Sequence, residues 1–153
     1  MSTLLMDGFR KFIRRGGAER WLLLEALAWL CWVKLLLAVA PFRWIAPRLG
    51  RQMTETSGAI TPRESELALR ISWAVQAVAR HVPFGFVCLP QAISAKWMLR
   101  RRHLPTTLYL GLRHGEPYSR TAHAWLRAGD KILTGQAESS GHRAIATFGE
   151  DLS

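Results

Sequence analysis

At 153 residues, 49 % of them hydrophobic, the chain can form one domain with its own core, and it is too apolar to be a disordered segment. A net charge of +10 points to an anionic partner (nucleic acid, acidic peptide or anionic lipid surface) or to a solvated basic surface, without choosing among them. Two cysteines, Cys31 and Cys88, are too few for a disulfide framework and suit a reducing compartment.

Residues 1–20 are polar and basic, with Arg10, Lys11, Arg14, Arg15 and Arg20, and Gly16-Gly17 break them. Residues 21–40 are the most apolar stretch, carrying Trp21, Trp29, Trp32 and eight leucines, and Pro41 ends it. A basic start followed by an apolar run and the triplet Ala38-Val39-Ala40 has the outline of a signal peptide. About 20 apolar residues also suffice to cross a bilayer. Glu25 and Lys34 count against both readings. Nine positions apart, they stand about half a turn out of phase, and each costs about 2.5–3.5 kcal/mol near a bilayer centre. The stretch is read as an apolar helix packed on the domain or on a partner, with peripheral contact to the inner membrane as the alternative. Cys31 within it is expected to be an inert buried thiol.

Residues 42–60 read as a linker with one short helix. Thr61-Pro62-Arg63-Glu64 is a helix start: Thr61 as N-cap, Pro62 at the first helical position, Glu64 closing a capping box. Leu67, Ile71, Ala74, Val75 and Val78 then share one face, to about Arg80. The apolar run Phe84-Gly85-Phe86-Val87 leads to Cys88, and Pro90–Arg101 reads as a second helix. Trp97 on it is expected in the core. Arg100, Arg101 and Arg102 at its end suit the helix dipole and read as a solvated terminus. Leu108, Leu110 and Leu112 alternate on a strand over 106–112. His114–Ser119 is a turn. Residues 123–127 and 131–135 are two short strands joined by Ala128-Gly129-Asp130, with Trp125 expected in the core. Helices first, then a cysteine-bearing helix, then an antiparallel sheet make the class α+β.

Cys88 and His123 are the residues that look like chemistry. A cysteine attacks as its thiolate, which a helix N-terminus or a nearby imidazolium favours. Free amides of a first helical turn can also hold an oxyanion. His123, on a following strand, would take the thiol proton and return it to the leaving amine. A third group should orient the imidazole. Asp130 is the nearest acid downstream, but seven extended residues set it roughly 20 Å from His123. With Gly129-Asp130 as a type II′ turn, Ala128 faces Lys131, Leu126 faces Leu133 and His123 faces Gln136. Gln136 is therefore the orienting candidate, with Glu138 just beyond; a turn shifted by one would bring Thr134 opposite instead. His81, His103, His114 and His142 lack metal-ligand spacing and no glycine-rich loop cradles phosphates, so neither metal nor cofactor is expected.

Cys88-Leu-Pro-Gln-Ala-Ile-Ser-Ala-Lys-Trp-Met-Leu-Arg-Arg-Arg, Leu108-Tyr-Leu-Gly-Leu-Arg, His123-Ala-Trp-Leu and Ile132-Leu-Thr-Gly, in that order, resemble the transglutaminase-like leader peptidases of lasso-peptide biosynthesis, the microcin-processing type. The resemblance covers about residues 60–136, and the N-terminal third more loosely. It implies a papain-like, transglutaminase-type core, in which a Cys-bearing helix packs on a small antiparallel sheet, and a Cys-His-Asp triad. It implies a cytoplasmic peptidase that removes the leader from a ribosomally made precursor peptide before an ATP-dependent cyclase closes the macrolactam. Cys88 and His123 carry over directly. The family usually shows an acid about a dozen residues after the histidine, where this chain has Gly135-Gln136. Residues 1–60, helical, apolar and basic, form an N-terminal extension to a core over 61–153. They are not a small β-rich recognition module, so a separate leader-recognition protein is implied; no nucleic-acid partner is assigned. The competing reading is a basic scaffold with a degenerate triad, binding a precursor or partner at the membrane surface.

Overall fold

The Thr61 start closes as a capping box. Thr61 Oγ1 accepts from the Glu64 N–H at 3.2 Å, and the Thr61 N–H donates to the Glu64 carboxylate at 3.3 Å. Behind it α4 (Pro62–His81) buries Ala68, Ile71, Ala74, Val75 and Val78 in one stripe. The computed structural model describes residues 2–14, 16–56, 59–82, 88–113, 123–135 and 142–149. Ahead of α4 lie α1 (Ser2–Arg14), α2 (Gly17–Val39), the single turn α3 (Phe42–Ile45), a 3-10 turn (Ala46–Leu49) and β1 (Arg51–Gln52).

Helix α5 (Cys88–Arg100) begins at Cys88 itself, two residues before the Pro90 start. Every residue from Ala92 to Leu99 is buried, Ser94 and Lys96 included. The cause is enclosure: α5 packs on the sheet, on α4 and on α2. A helix covered on all sides keeps no polar stripe. The buried Lys96 ammonium donates to the Thr106 carbonyl at 2.8 Å, to Thr106 Oγ1 at 3.1 Å and to the Phe148 carbonyl at 3.2 Å. It joins α5 to two strands. The indole ring of Trp97 lies 5.6 Å from that of Trp29 on α2, in the core.

The remaining strands are β2 (Thr107–Arg113), β3 (His123–Ala128), β4 (Lys131–Thr134) and β5 (His142–Gly149). The sheet is antiparallel throughout, in the order β1-β5-β2-β3-β4. The sequence reading assigned no element to β5, yet it lies between β1 and β2. Phe148 pairs with Leu108 and Ala146 with Leu110, on the core side. Leu108, Leu110, Ala124 and Leu126 face α5; Tyr109, Trp125 and Arg127 occupy the other face. Residues expected as linker are bonded to this sheet: the Met53 N–H donates to the Thr147 carbonyl at 2.7 Å, and the Thr56 N–H to Thr107 Oγ1 at 3.0 Å.

Helix α2 buries Leu22, Ala26, Leu30 and Val33 against α4 and α5. By length and composition alone it could cross a membrane. Glu25, counted above as a cost of burial in lipid, is paired instead: it accepts from Arg102 at 2.7 Å and from Arg101 at 3.3 Å. Arg100 donates to the Arg48 carbonyl at 2.9 Å. The arginine run thus stays exposed at Arg100 and Arg101 but also serves as a clasp between α2 and α5, made by residues 77 positions apart. Cys31 is exposed rather than buried, because it faces away from α4 and α5.

Candidate active site

Cys88 is the first residue of α5 and is half-buried. The first amides of a helix have no partner inside it, and Pro90, which has no N–H, leaves none stranded. The chain here can offer a thiol together with backbone donors, the pairing that acyl transfer uses for nucleophile and oxyanion hole.

His123 is the first residue of β3, half-buried and paired with Gly111 of β2. Strand alternation puts it on the side of Trp125, whose ring stacks on Tyr109 at 5.4 Å with 6° between the planes. Arg127 Nε donates to the Tyr109 hydroxyl at 2.9 Å. Burial outweighs this guanidinium and holds the phenol above its ordinary range. His123 stands at the rim of the sheet, one residue before Ala124, the first residue of β3 to reach the core on the opposite face.

The topology brings the two starts to one end of the molecule. Lys96 ties α5 to Thr106 and Phe148, at the end of the sheet where Thr107 pairs with Arg127. From there Cys88 is eight residues back along α5, about 12 Å at a helical rise. His123 is four residues back along β3, about 13 Å at an extended rise. Helix α5 packs on β3, and because six residues separate its end at Arg100 from the start of β2 at Thr107, and β2 is antiparallel to β3, it runs in the same direction as β3. Their first residues therefore stand at the end of the sheet opposite the Lys96 anchor, Cys88 on the α5 side and His123, by strand alternation, on the Trp125 side.

The turn after β3 follows expectation at its tip and departs from it higher up. Gly129 has φ of 59° while Asp130 keeps a negative φ, as a type II′ turn requires, and Ala128 pairs with Lys131. Asp130 is exposed at that tip, away from His123. From there on, Leu126 pairs with Thr134, not Leu133, because a bulge between Leu126 and Arg127 inserts one residue on β4. The register on which the choice of Gln136 rests is thus displaced by one. Gln136 and Glu138 lie outside the described residues.

The bulge exposes a determinant that sequence reasoning missed. Gly135 has φ of +71°, and a Cβ there would stand 2.4 Å from the Ala124 carbonyl oxygen and 2.9 Å from Trp125 Cβ. Only glycine lets the chain leave β4 this close to the residues that follow His123. The signal available was a glycine directly after a strand, which is weak alone. Among the described residues, no three of His, Cys, Asp and Glu cluster as metal ligands would.

A model of the family described as the transglutaminase-like superfamily matches residues 36–147, a span containing Cys88, His123 and Gly135. No curated protein and no solved structure matches the chain.

Proposed function

The chain belongs to the transglutaminase-like superfamily, and on that premise we propose that it is a cysteine peptidase that removes the leader from a ribosomally synthesised lasso-peptide precursor. The fold commonly serves cysteine proteases and transglutaminases. The observation that carries the reading is the shared end of α5 and β3: a thiol on the first turn of a helix, and a histidine at the start of the strand packed on it.

In this mechanism Cys88 Sγ, its proton taken by His123, attacks the scissile carbonyl. The first-turn amides of α5 hold the oxyanion, and His123 protonates the departing amine. The leader remains as a thioester on Cys88. Water, deprotonated by His123, releases it as a carboxylate and restores the thiol. The freed amine terminus of the core peptide is the group that an ATP-dependent cyclase then joins into the macrolactam. A separate leader-recognition protein brings the precursor, and the cytoplasm keeps the thiol reduced.

Cys88→Ala and His123→Ala test the proposal on precursors incubated with a leader-recognition partner. Both are expected to abolish cleavage, a loss of roughly 10³-fold or more, with unchanged circular dichroism. Normal processing by Cys88→Ala would sink the reading. Alkylation separates it from an inactive scaffold. Cys31 is exposed and sets the rate of an ordinary accessible thiol. Cys88 should react with iodoacetamide faster than Cys31 at neutral pH.

A further inference from the structure

Helix α2 is apolar on two opposite sides. Leu22, Ala26, Leu30 and Val33 form its buried stripe. Trp21, Leu24, Ala28, Trp32, Leu35 and Val39 recur at the same three- and four-residue spacing and are all exposed, Trp21 to 71 % and Val39 to 70 %. This outer stripe spans about 27 Å of helix. A continuous exposed apolar face opposite the buried one marks a surface with a partner.

We propose that this face lies in the plane of an anionic phospholipid bilayer, with a lipid phosphate seated in the groove between α2 and Arg101–Arg102; the proposal is independent of the peptidase reading. Charge selects lipid over a second apolar protein surface. Arg20 and Lys34 border the stripe, and Arg10, Lys11 and Arg14 on α1 are exposed just before it. Arg43 and Trp44 stand exposed just past its far end. Glu25, the acid on the rim, is already neutralised by Arg102. Tryptophans near the ends of an apolar stripe edged with cations are what a helix lying in a bilayer interface presents.

The groove beside the stripe sharpens the ligand. It holds about 470 Å³ and is lined by Trp21, Leu24, Glu25, Ala28, Arg101 and Arg102. Two guanidiniums meet one carboxylate there, so one positive charge is left over. The Arg101 side chain, 63 % exposed, reaches Glu25 through a single guanidinium nitrogen, and a guanidinium carries five N–H donors. An anionic head group can take those donors while its acyl chains follow the apolar stripe. The inner stripe makes α2 lie flat. To cross the bilayer the helix would have to strip Leu30 and Val33 from the core and break the Arg102–Glu25 pair.

Co-sedimentation of the full chain with vesicles tests this. Vesicles of phosphatidylcholine with phosphatidylglycerol should bind it, and binding should fall with added salt; pure phosphatidylcholine vesicles should bind it far less. Trp32→Glu and Leu35→Glu, both at exposed positions that leave the core intact, should abolish binding. Arg101→Glu should weaken it roughly tenfold or more, and Arg101→Lys should largely retain it. Cys31, on the same exposed side, should be protected from alkylation by anionic vesicles. The proposal is overturned by equal binding to neutral vesicles, or by Trp32→Glu and Leu35→Glu variants that bind as the parent does. It is overturned by protein that resists alkaline carbonate extraction, which would mean a spanning helix. Displacement by inorganic phosphate without vesicle binding would assign the groove to a soluble anion. A vesicle-free dimer that Trp32→Glu dissolves, with no binding to anionic vesicles, would assign the stripe to a second copy of the chain.

Discussion

Along its second half α5 is fastened from several directions, while its first residue is only half-buried, at the edge of the core. Lys96 reaches Thr106 and Phe148; the Trp97 indole N–H donates to the Arg48 carbonyl at 3.1 Å, and Arg100 donates to the same oxygen; Arg102 clasps Glu25. At the other end stand half-buried Cys88 and a turn of amides with no partners inside the helix. Rigidity is thus supplied at a distance from the thiol. A helix held by its far end keeps the near end in position without filling the space a substrate needs. The strand side repeats the division: β3 is enclosed at Leu126 and Ala128 and reaches the rim at His123.

Gly135→Ala is the largest blow to the open end. A Cβ 2.4 Å from the Ala124 carbonyl, on a backbone at φ +71°, forces the exit from β4 away from β3. Stability should fall by about 3 kcal/mol, read from the urea midpoint, and cleavage by the remaining folded protein should fall with it, since Ala124 follows His123. A variant as stable and active as the parent would remove the close approach from the account of the site. Lys96→Met strikes the fastened end. The apolar side chain leaves three acceptors without their donor, while relieving the burial of an ammonium. The expected net loss is about 2 kcal/mol, with turnover by the folded fraction unchanged. Turnover lost without stability loss would show that the two ends are not separable.

The two ends were unequally legible. The Thr61–Glu64 box and the II′ turn at Gly129 were readable because each is settled within four residues. The strand start at His123 was readable because alternation marks it, and Pro90 announced the helix, which begins two residues earlier at Cys88. Strand β5 was not: Arg143-Ala144-Ile145-Ala146-Thr147-Phe148 puts only small residues and one Phe on its inner side, and its place between β1 and β2 comes from pairing with distant segments. The bulge at Leu126 moves the register by one residue without any change of residue type to announce it. The burial of Lys96 was not legible, because its partners, Thr106 and Phe148, meet only in the folded sheet. The arginine run read as solvated because its acid lies on another helix.

That acid gives the smallest effect and separates charge from packing at the fastened end. The hydrogen bond from Arg102 holds the Glu25 carboxyl below its usual range, against the opposing pull of burial, and Arg102 is raised in turn. A lowered folded value means that the ionised pair stabilises the protein fully above the ordinary carboxylate range. That contribution is lost as the pH falls through the lowered value. Glu25→Gln keeps the shape and removes the charge. Near neutral pH it should cost about 1 kcal/mol, because the Arg102 side chain is 28 % exposed and Arg101, at 63 %, is screened by solvent. In acid the difference from the parent should shrink toward zero, which urea midpoints across the range would follow. A penalty near zero at every pH would mean that α2 is held on α5 by the fit of the side chain alone. The clasp would then bring no pH dependence to the end of α5 opposite Cys88.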